Sequence, residues 1–593
     1  MKRKNHYIFG MIAVAATMAS VSCSDFDDYN KAYTNASVES TKTLWENILG
    51  QENLSQFAEV AKKAGFDKEL NSSRTYTVWA PVNGSFDYDR YINRMDSDSV
   101  RYKFIENHVA NFNYAMTGEA RNERVHTLNE KSYLLATNDN GKFTFDGKTM
   151  NGTGIPSVNG TLHTINGEAA FYPNIYESIF ETAGSDSVVA YFNKYKREYL
   201  DTKNSIEGPI VDGKQTYIDS VMVSDNGLFR SFNAYIARED SSYTMLLPTD
   251  KAYLEAYNRI KTCFVYPSTM QYYEVSSEYQ GENPTAQSLK VETSTYTAAY
   301  LQDSIVKKNL ISPLFVNNNK RENGWLVGKQ TGYSIDSLVS TRSDEMSNGR
   351  EMAETAMVGE PAVRSNGYVR TVDTLAYKAW ELWNPEIDVP IRNGAYRPYS
   401  NTTAAVVSSV SLTEDEIDPA KLDSTIKYSN GEVYMPKSYL NFAANGDRRA
   451  PAAYFYIPNV RSTSYNIYIE FVPARYRIGA TEREKNYKVD VTVKYAGSDG
   501  KVASSAVKTF KNVQTTDSNK VCRVKVGTVQ FPVSYYGLDD CYPYIYVKSA
   551  RSTISTKDYD KLDNNLRISR IFLRPVEYDN YLTEQNKDDE QQD

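Results

Sequence analysis

The sequence predicts an α+β chain in which two tandem repeats, each a mix of short helices and strands, precede an all-β sandwich of jelly-roll type. Three observations carry this. The run TYTVWAPVNGSF at Thr75 to Phe86 returns as SYTMLLPTDKAY at Ser242 to Tyr253, and an internal repeat constrains a fold before anything else does. A second pair follows in the same order, NGTLHTINGEAAF at Asn159 to Phe171 and NGYVRTVDTLAYK at Asn366 to Lys378. From about Asn384 the pattern changes to short alternating strands divided by turns such as Gly497-Ser498-Asp499-Gly500, as expected for two packed antiparallel sheets. At 593 residues the chain exceeds one core. The expected segments are a leader over 1–22, a tether over 23–38, repeats over 39–173 and 174–385, a sandwich over 386–580 and a disordered tail over 581–593.

The N-terminus reads as an export signal. Lys2, Arg3 and Lys4 precede a mostly apolar run from Tyr7 to Val21, and Cys23 follows directly. The apolar run has the length of a secretory signal and falls short of the ~20 residues needed to span a bilayer. Ser20-Val21-Ser22-Cys23 looks like a bacterial lipoprotein signal of Bacteroidota type, although Ser20 stands where the common pattern has Leu. That resemblance implies a lipidated Cys23 anchored in the outer membrane. The acidic run Ser24-Asp25-Phe26-Asp27-Asp28 resembles the signal that sends such lipoproteins to the cell surface.

In the first repeat, Leu44, Ile48, Leu49, Leu54, Phe57, Val60 and Ala61 have helical spacing broken near Gly50, which predicts two short helices closed by Gly65. Arg74 to Pro81 is a strand. Val100, Phe104, Ile105, His108, Val109 and Phe112 share one helical face, predicting a helix over Val100 to Tyr114. Strands follow at Tyr133 to Thr137, Lys142 to Phe145 and Thr161 to Ile165. Pro81 ends the first strand, and Asn83, matched by Asp250 after Pro248, is suited to cap the helix that follows. The two boxes and the Asn107-His108-Val109 run resemble the fasciclin domain. The resemblance covers about Glu39 to Pro385 and implies a β-wedge with packed helices in each repeat, and adhesion, with protein or glycan contact at a cell surface. Proteins of this kind often accompany SusC/SusD-like nutrient importers, which implies such a complex as a partner.

The second repeat starts at Ile175 to Phe192 and is longer. Its boxes start at 242 and 366, 124 positions apart, against 84 for 75 and 159 in the first. Insertions at Asn204 to Asn226, Thr262 to Ala298 and Thr341 to Val363 make the difference, and long loops on a rigid frame are where binding tends to reside. The sandwich strands are expected at Tyr454 to Ile457, Tyr465 to Val472, Tyr487 to Tyr495, Lys520 to Phe531, Tyr542 to Ser549 and Leu566 to Arg574. The last of these resembles, in pattern, the final strand of carbohydrate-binding sandwiches. From Glu584 the chain is rich in Gln, Asp and Glu and is expected to fray.

Charge and motif content narrow the function. The net charge is -7, and removing Lys2, Arg3 and Lys4 with the leader leaves 64 basic against 74 acidic residues, or -10. Nucleic acid binding needs a basic excess and is disfavoured. The 48 Tyr, many in polar contexts such as Gln271-Tyr272-Tyr273-Glu274, suggest exposed binding surface. After the leader only His108, His126 and His163 remain. Arg370 stands opposite His163 in the second repeat and Asn309 falls near His108, so structural roles are expected. No zinc, nucleotide or serine-hydrolase motif occurs, and no metal or other cofactor is expected. Glu414-Asp415-Glu416 and Asp539-Asp540 are expected to be solvated turns. Of Cys263, Cys522 and Cys541, the last two are candidates for a disulfide across neighbouring strands. The expected function is therefore binding and not catalysis. The alternative is a glycan-active hydrolase with a carboxylate pair in the sandwich, its acids about 5–10 Å apart in a cleft lined by Trp or Tyr.

Overall fold

The computed structural model describes residues 40–592, apart from 115, 117–119, 121, 139, 201, 203–204, 212, 220–221, 275–284, 294–296, 329–336, 392–395, 399–404, 429–430, 447–448, 504–506 and 551–557. The leader, Cys23 and the acidic run at Asp25 to Asp28 lie outside the described residues. The chain is a mixed α+β protein and divides into two compact units. One is the described part of Met1–Glu181 with Tyr235–Tyr243 and Ala362–Val369. The other is Thr182–Ala234, Thr244–Pro361 and Arg370–Asp593.

In the first unit, helix Leu44–Leu49 starts at Thr43, whose side chain accepts from Glu46 N while Glu46 returns a bond to Thr43 N, a reciprocal cap. Gly50 ends that helix, and Ser55–Lys63 is the second. The predicted helix from Val100 instead changes its hydrogen bonding. Ser97–Val100 is α-helical, Arg101–Ile105 is π, Glu106–His108 is 3-10, and Val109–Asn111 is a strand. Pairing with Tyr76–Pro81 wins over the helical period because Val109 and Ala110 are buried on a sheet.

The sheet runs Val109–Asn111, Tyr76–Pro81, Gly160–Ile165, Ile155–Ser157, with the two central strands parallel. A second sheet is the meander Asn122–His126, Ser132–Thr137, Phe143–Phe145, Lys148–Thr149. Tyr76, Val78 and Ala80 face one core with the helices, whereas Trp79 and Ile165 share another with Leu135 and Phe145 of the meander. Alternation along one strand thus serves two cores, which makes the wedge.

The second repeat reproduces the central sheet of the first and the bonds of its Asn-Gly turn. Its sheet runs Phe315–Asn317, Tyr243–Pro248, Gly367–Val372, Ala362–Arg364. Asn159 accepts from Leu44 N at 2.8 Å and donates to the carbonyls of Leu70 and Ser72. Asn366 accepts from Ile175 N at 2.9 Å and donates to the carbonyls of Ile236 and Arg238. Gly160 and Gly367 have φ of 139° and 140°, and a Cβ on either would lie 1.7 or 1.8 Å from the carbonyl oxygen of Tyr76 or Tyr243. The corners after Pro81 and Pro248 also correspond, with one change from expectation. Asn83 accepts from Gln56 N and Asp250 from Asp186 N and Ser187 N, so each caps a helix earlier in its repeat. The helix that follows, Asp250–Lys261, is capped by Thr249.

The first two insertions of the second repeat are built of β-hairpins, whereas the third carries a π-helical turn at Glu351–Thr355. Lys196–Leu200 pairs with Met222–Asn226, Ile206–Val211 with Lys214–Asp219, and Thr269–Glu274 with Thr285–Lys290. Tyr272 and Tyr273 are half-buried against hydrophobic clusters, and six of the largest fully buried side chains are tyrosines. Much of the tyrosine content is therefore core. Two of these polar tips find partners in the core, Tyr465 OH on Asn384 at 2.7 Å and Tyr476 OH on the Pro436 carbonyl at 2.9 Å.

The C-terminal part is two antiparallel sheets sharing one core. Counting eight strands from Ser438–Ala444 to Leu566–Pro575, one sheet runs 1-8-3-6 and the other 2-7-4-5, which is jelly-roll order. Ala405–Ser411 and Tyr396–Pro398 extend the edges, and Ile387–Asp388 pairs with the eighth strand. Ser438–Ala444 and Val507–Gln514 were not legible as strands, the second because its residues are half-buried or exposed. The tail does not fray at 581, because helix Val576–Gln592 continues through it.

Candidate functional site

Of the three histidines beyond residue 22, two are structural. His108 Nδ1 lies 2.7 Å from Phe104 O and its Nε2 accepts from Ala169 N at 2.8 Å, so the ring is a neutral Nδ1–H tautomer. His163 Nε2 lies 2.9 Å from Tyr114 O, and the ring stacks on Trp79. Burial pushes both imidazoles down to about 4. His126 is exposed on the strand Asn122–His126. Counted from the strand starts, His163 corresponds to Arg370, but His108 corresponds to Leu314 and not to Asn309. Lys131 is buried too, with Glu177 at 2.9 Å and Glu239 at 2.7 Å on its Nζ, a clamp inside the first unit.

The thiols and acidic turns are also accounted for. Cys263, Cys522 and Cys541 are all free, so the expected Cys522–Cys541 bridge is corrected. Cys522 begins a nine-residue strand, opposite Phe471. Cys541 is buried in the sandwich core together with Tyr535, whose N–H bonds Val460 O beyond the other end of that strand pair. Nine strand residues span about 27 Å, well beyond the roughly 7 Å limit between bridged Cα atoms. Glu414–Glu416 is an exposed 3-10 turn capped through Thr413, with Lys437 on Glu414 and Arg477 on Glu416. Asp540 sits in a turn at φ 54°. Among the described residues, no group of three His, Cys, Asp or Glu is arranged to hold a metal ion.

The site that geometry brings together lies on the outer face of the six-stranded sheet, a groove of about 1260 Å³. Along Ser464–Phe471, Ile467, Ile469 and Phe471 enter the core, so Asn466, Tyr468 and Glu470 point the other way. Along Leu566–Pro575, Ile571 and Leu573 enter the core, leaving Arg570, Phe572 and Arg574 outward. Along Cys522–Gln530, Val524 and Val526 face the core, leaving Arg523 and Lys525. Trp380 and the first turns of helix Val576–Gln592 form the other wall, with Trp380 stacked on Tyr578 at 5.4 Å and near Tyr581 at 5.0 Å.

Electrostatic contacts fix this surface. Glu386 binds Arg570 and Arg574, both at 2.6 Å, and Asp388 binds Arg570 at 2.6 Å. Asp579 accepts from Asn466, Tyr468 and Arg574 at 2.5, 2.6 and 3.1 Å. Fully buried Glu470 holds Arg523 through Nε at 2.7 Å. Tyr468 stacks on Phe572 at 5.0 Å, and three arginines surround that ring. The tyrosine hydroxyl of Tyr468 is pushed upward by burial and by Asp579. Sequence reading placed Trp380 before the sandwich and missed the groove. Its signal was the period-two polar set Asn466, Tyr468, Glu470 and Arg523, Lys525.

Comparison with known proteins addresses the first repeat. Residues 52–167 match the fasciclin domain family. Fasciclin domains occur in extracellular and surface proteins and are associated with adhesion and binding. No curated protein matches the chain. Among solved structures, the FAS1 domain pair of the insect cell adhesion molecule fasciclin I is similar at 10% identity, covering 57% of this chain and 97% of its own. Its TM-score is 0.18, too low to carry argument, so the likeness of the second repeat to the fasciclin domain rests on the shared sheet order and the Asn159 and Asn366 bonds. No helix among the described residues is long and apolar enough to cross a membrane.

Proposed function

We propose that the protein is a lipoprotein of the cell envelope, anchored through lipidated Cys23 and displayed on the outer surface, that acts by binding. Its two repeats serve as tandem fasciclin domains, and its sandwich groove takes a glycan. The supporting observation is the groove, where Trp380 and tyrosine rings stand beside Arg, Asn and Asp side chains held in place by one another. Sugar rings offer apolar faces and hydroxyls, and such a wall matches both. A place beside a SusC/SusD-like importer follows from the same reading, since an importer needs a surface subunit that retains its substrate.

The hydrolase alternative has carboxylates in a cleft with Trp and Tyr, as it requires. Their surroundings count against it. Glu386 is engaged by Arg570 and Arg574, and Asp579 by Asn466, Tyr468 and Arg574, so both carboxylates are taken up in holding the groove's own side chains instead of facing a substrate.

The test is a glycan array probed with the mature chain and with Trp380→Ala, read for both binding and released sugar. Binding without release, weakened tenfold or more by the variant, supports the reading. Released sugar would restore the hydrolase, and no binding would remove the glycan role. Protease added to intact cells tests display. Replacing Asp25, Asp27 and Asp28 with Ala is expected to keep the lipidated protein inside.

A further inference from the structure

The groove holds more positive hydrogen-bonding capacity than its own acids use. Arg570 and Arg574 are each tied to two carboxylates. Arg523 is different, because Glu470 engages only its Nε, and among the described residues both terminal nitrogens lie beside the Phe572 ring without a hydrogen-bond acceptor. Lys525 stands two residues along the same strand, so the two side chains leave the same face with their Cα atoms about 6–7 Å apart. Lys525 is exposed and has no ion pair among the described residues. Lys427, also exposed and without an ion pair among the described residues, lines the same groove.

The geometry points to an anion-binding subsite in this groove, formed by the terminal nitrogens of Arg523 and the Nζ of Lys525 with Lys427, that selects acidic glycans carrying a carboxylate or a sulfate. This rests on the proposal that the groove binds a glycan and narrows it to one chemical class. Three physical points support it. A guanidinium fork anchored through Nε presents its two outer nitrogens in the plane that carboxylate and sulfate oxygens match. Glu470, fully buried beneath, fixes the direction of that fork, so little rotamer entropy remains to be lost on binding. The whole chain carries a net charge of -7, so a polyanion gains nothing from the remainder of the molecule and must be held locally.

The experiment titrates the mature chain with three polymers: polygalacturonate, which carries only carboxylates, carrageenan, which carries only sulfates, and neutral dextran. At least one acidic polymer is expected to bind ten times more tightly than dextran, and the stronger of the two identifies the anion. Lys525→Gln is expected to lower that affinity at least tenfold, and Lys525→Arg to restore most of it. Binding is expected to weaken as salt is raised, because the contact is partly exposed. Lys525 is chosen because truncating Arg523 would strand the buried Glu470 charge and risk the fold. If dextran binds as well as the acidic polymers and Lys525→Gln changes nothing, the anion subsite is wrong and the glycan reading stands. If no polymer and no arrayed glycan binds, the glycan reading falls with it.

Discussion

Replacing Asn366 with Ala is expected to open the second repeat as severely as Asn159→Ala opens the first. Each side chain is only 3% exposed and ties one backbone N–H and two carbonyls from segments distant in sequence. For Asn366 these are Ile175 N at 2.9 Å, Ile236 O at 2.8 Å and Arg238 O at 2.9 Å. Two of the bonds are buried and the third is part-buried, so truncation strands two groups at about 1–3 kcal/mol each and the third at less, about 3–6 kcal/mol together. That is a large share of the roughly 5–15 kcal/mol that stabilises a domain. A chain of several cores does not unfold in one step, so the readout is native-state hydrogen exchange resolved by peptide. Asn366→Ala should speed exchange across 228–248 and 362–372 while leaving 44–81 unchanged, and Asn159→Ala should do the reverse. The equivalence of the repeats is refuted if Asn366→Ala changes exchange by less than about fivefold, near 1 kcal/mol, while Asn159→Ala changes it a hundredfold.

Gly160→Ala and Gly367→Ala should each prevent their own sheet from closing, because the new Cβ meets a carbonyl oxygen at 1.7 or 1.8 Å; soluble yield and circular dichroism report it. His108 and His163 are held neutral to about pH 4 but titrate near 6.5 when unfolded. The unfolded chain therefore takes up protons first, and stability that is full above pH 6.5 falls as pH drops toward 4, by up to about 3 kcal/mol for each ring. The double variant His108→Gln, His163→Gln should show a shallower loss of thermal stability over that window; an unchanged slope would remove the assignment. Burial pushes the Cys541 thiol up to about 12, so maleimide should leave Cys541 unlabelled in the native protein and label all of Cys263, Cys522 and Cys541 after unfolding without reductant. A cystine-linked peptide joining Cys522 to Cys541 would contradict the free thiols.

The sequence by itself determined whatever depends on local chemistry. The Asn-Gly steps at Asn159 and Asn366 announce a turn that only Gly can close, the spacing of Leu44, Ile48, Phe57, Val60 and Ala61 announces helices broken near Gly50, and Tyr465 to Val472 alternates at the period of a half-buried strand. These signals act within a few residues, so they survive without knowledge of the fold. They were enough for the α+β class, for the repeat, and for a jelly-roll-like sandwich. Tertiary structure alone decided the remainder. Val109 to Asn111 has a helical pattern, yet it joins a sheet because Tyr76–Pro81 offers an open edge. Asn83 and Asp250 cap helices that precede them in sequence, a choice made by packing. Cys522 and Cys541 read as neighbours along the chain, but a nine-residue strand runs between their positions. The groove was least legible of all. Asn466, Arg523, Arg570 and Trp380 come from segments up to 190 positions apart, and they meet because jelly-roll order places the third, sixth and eighth strands side by side. Alternation can say that Arg523 and Lys525 share a face. Only strand order can say which other side chains share it with them.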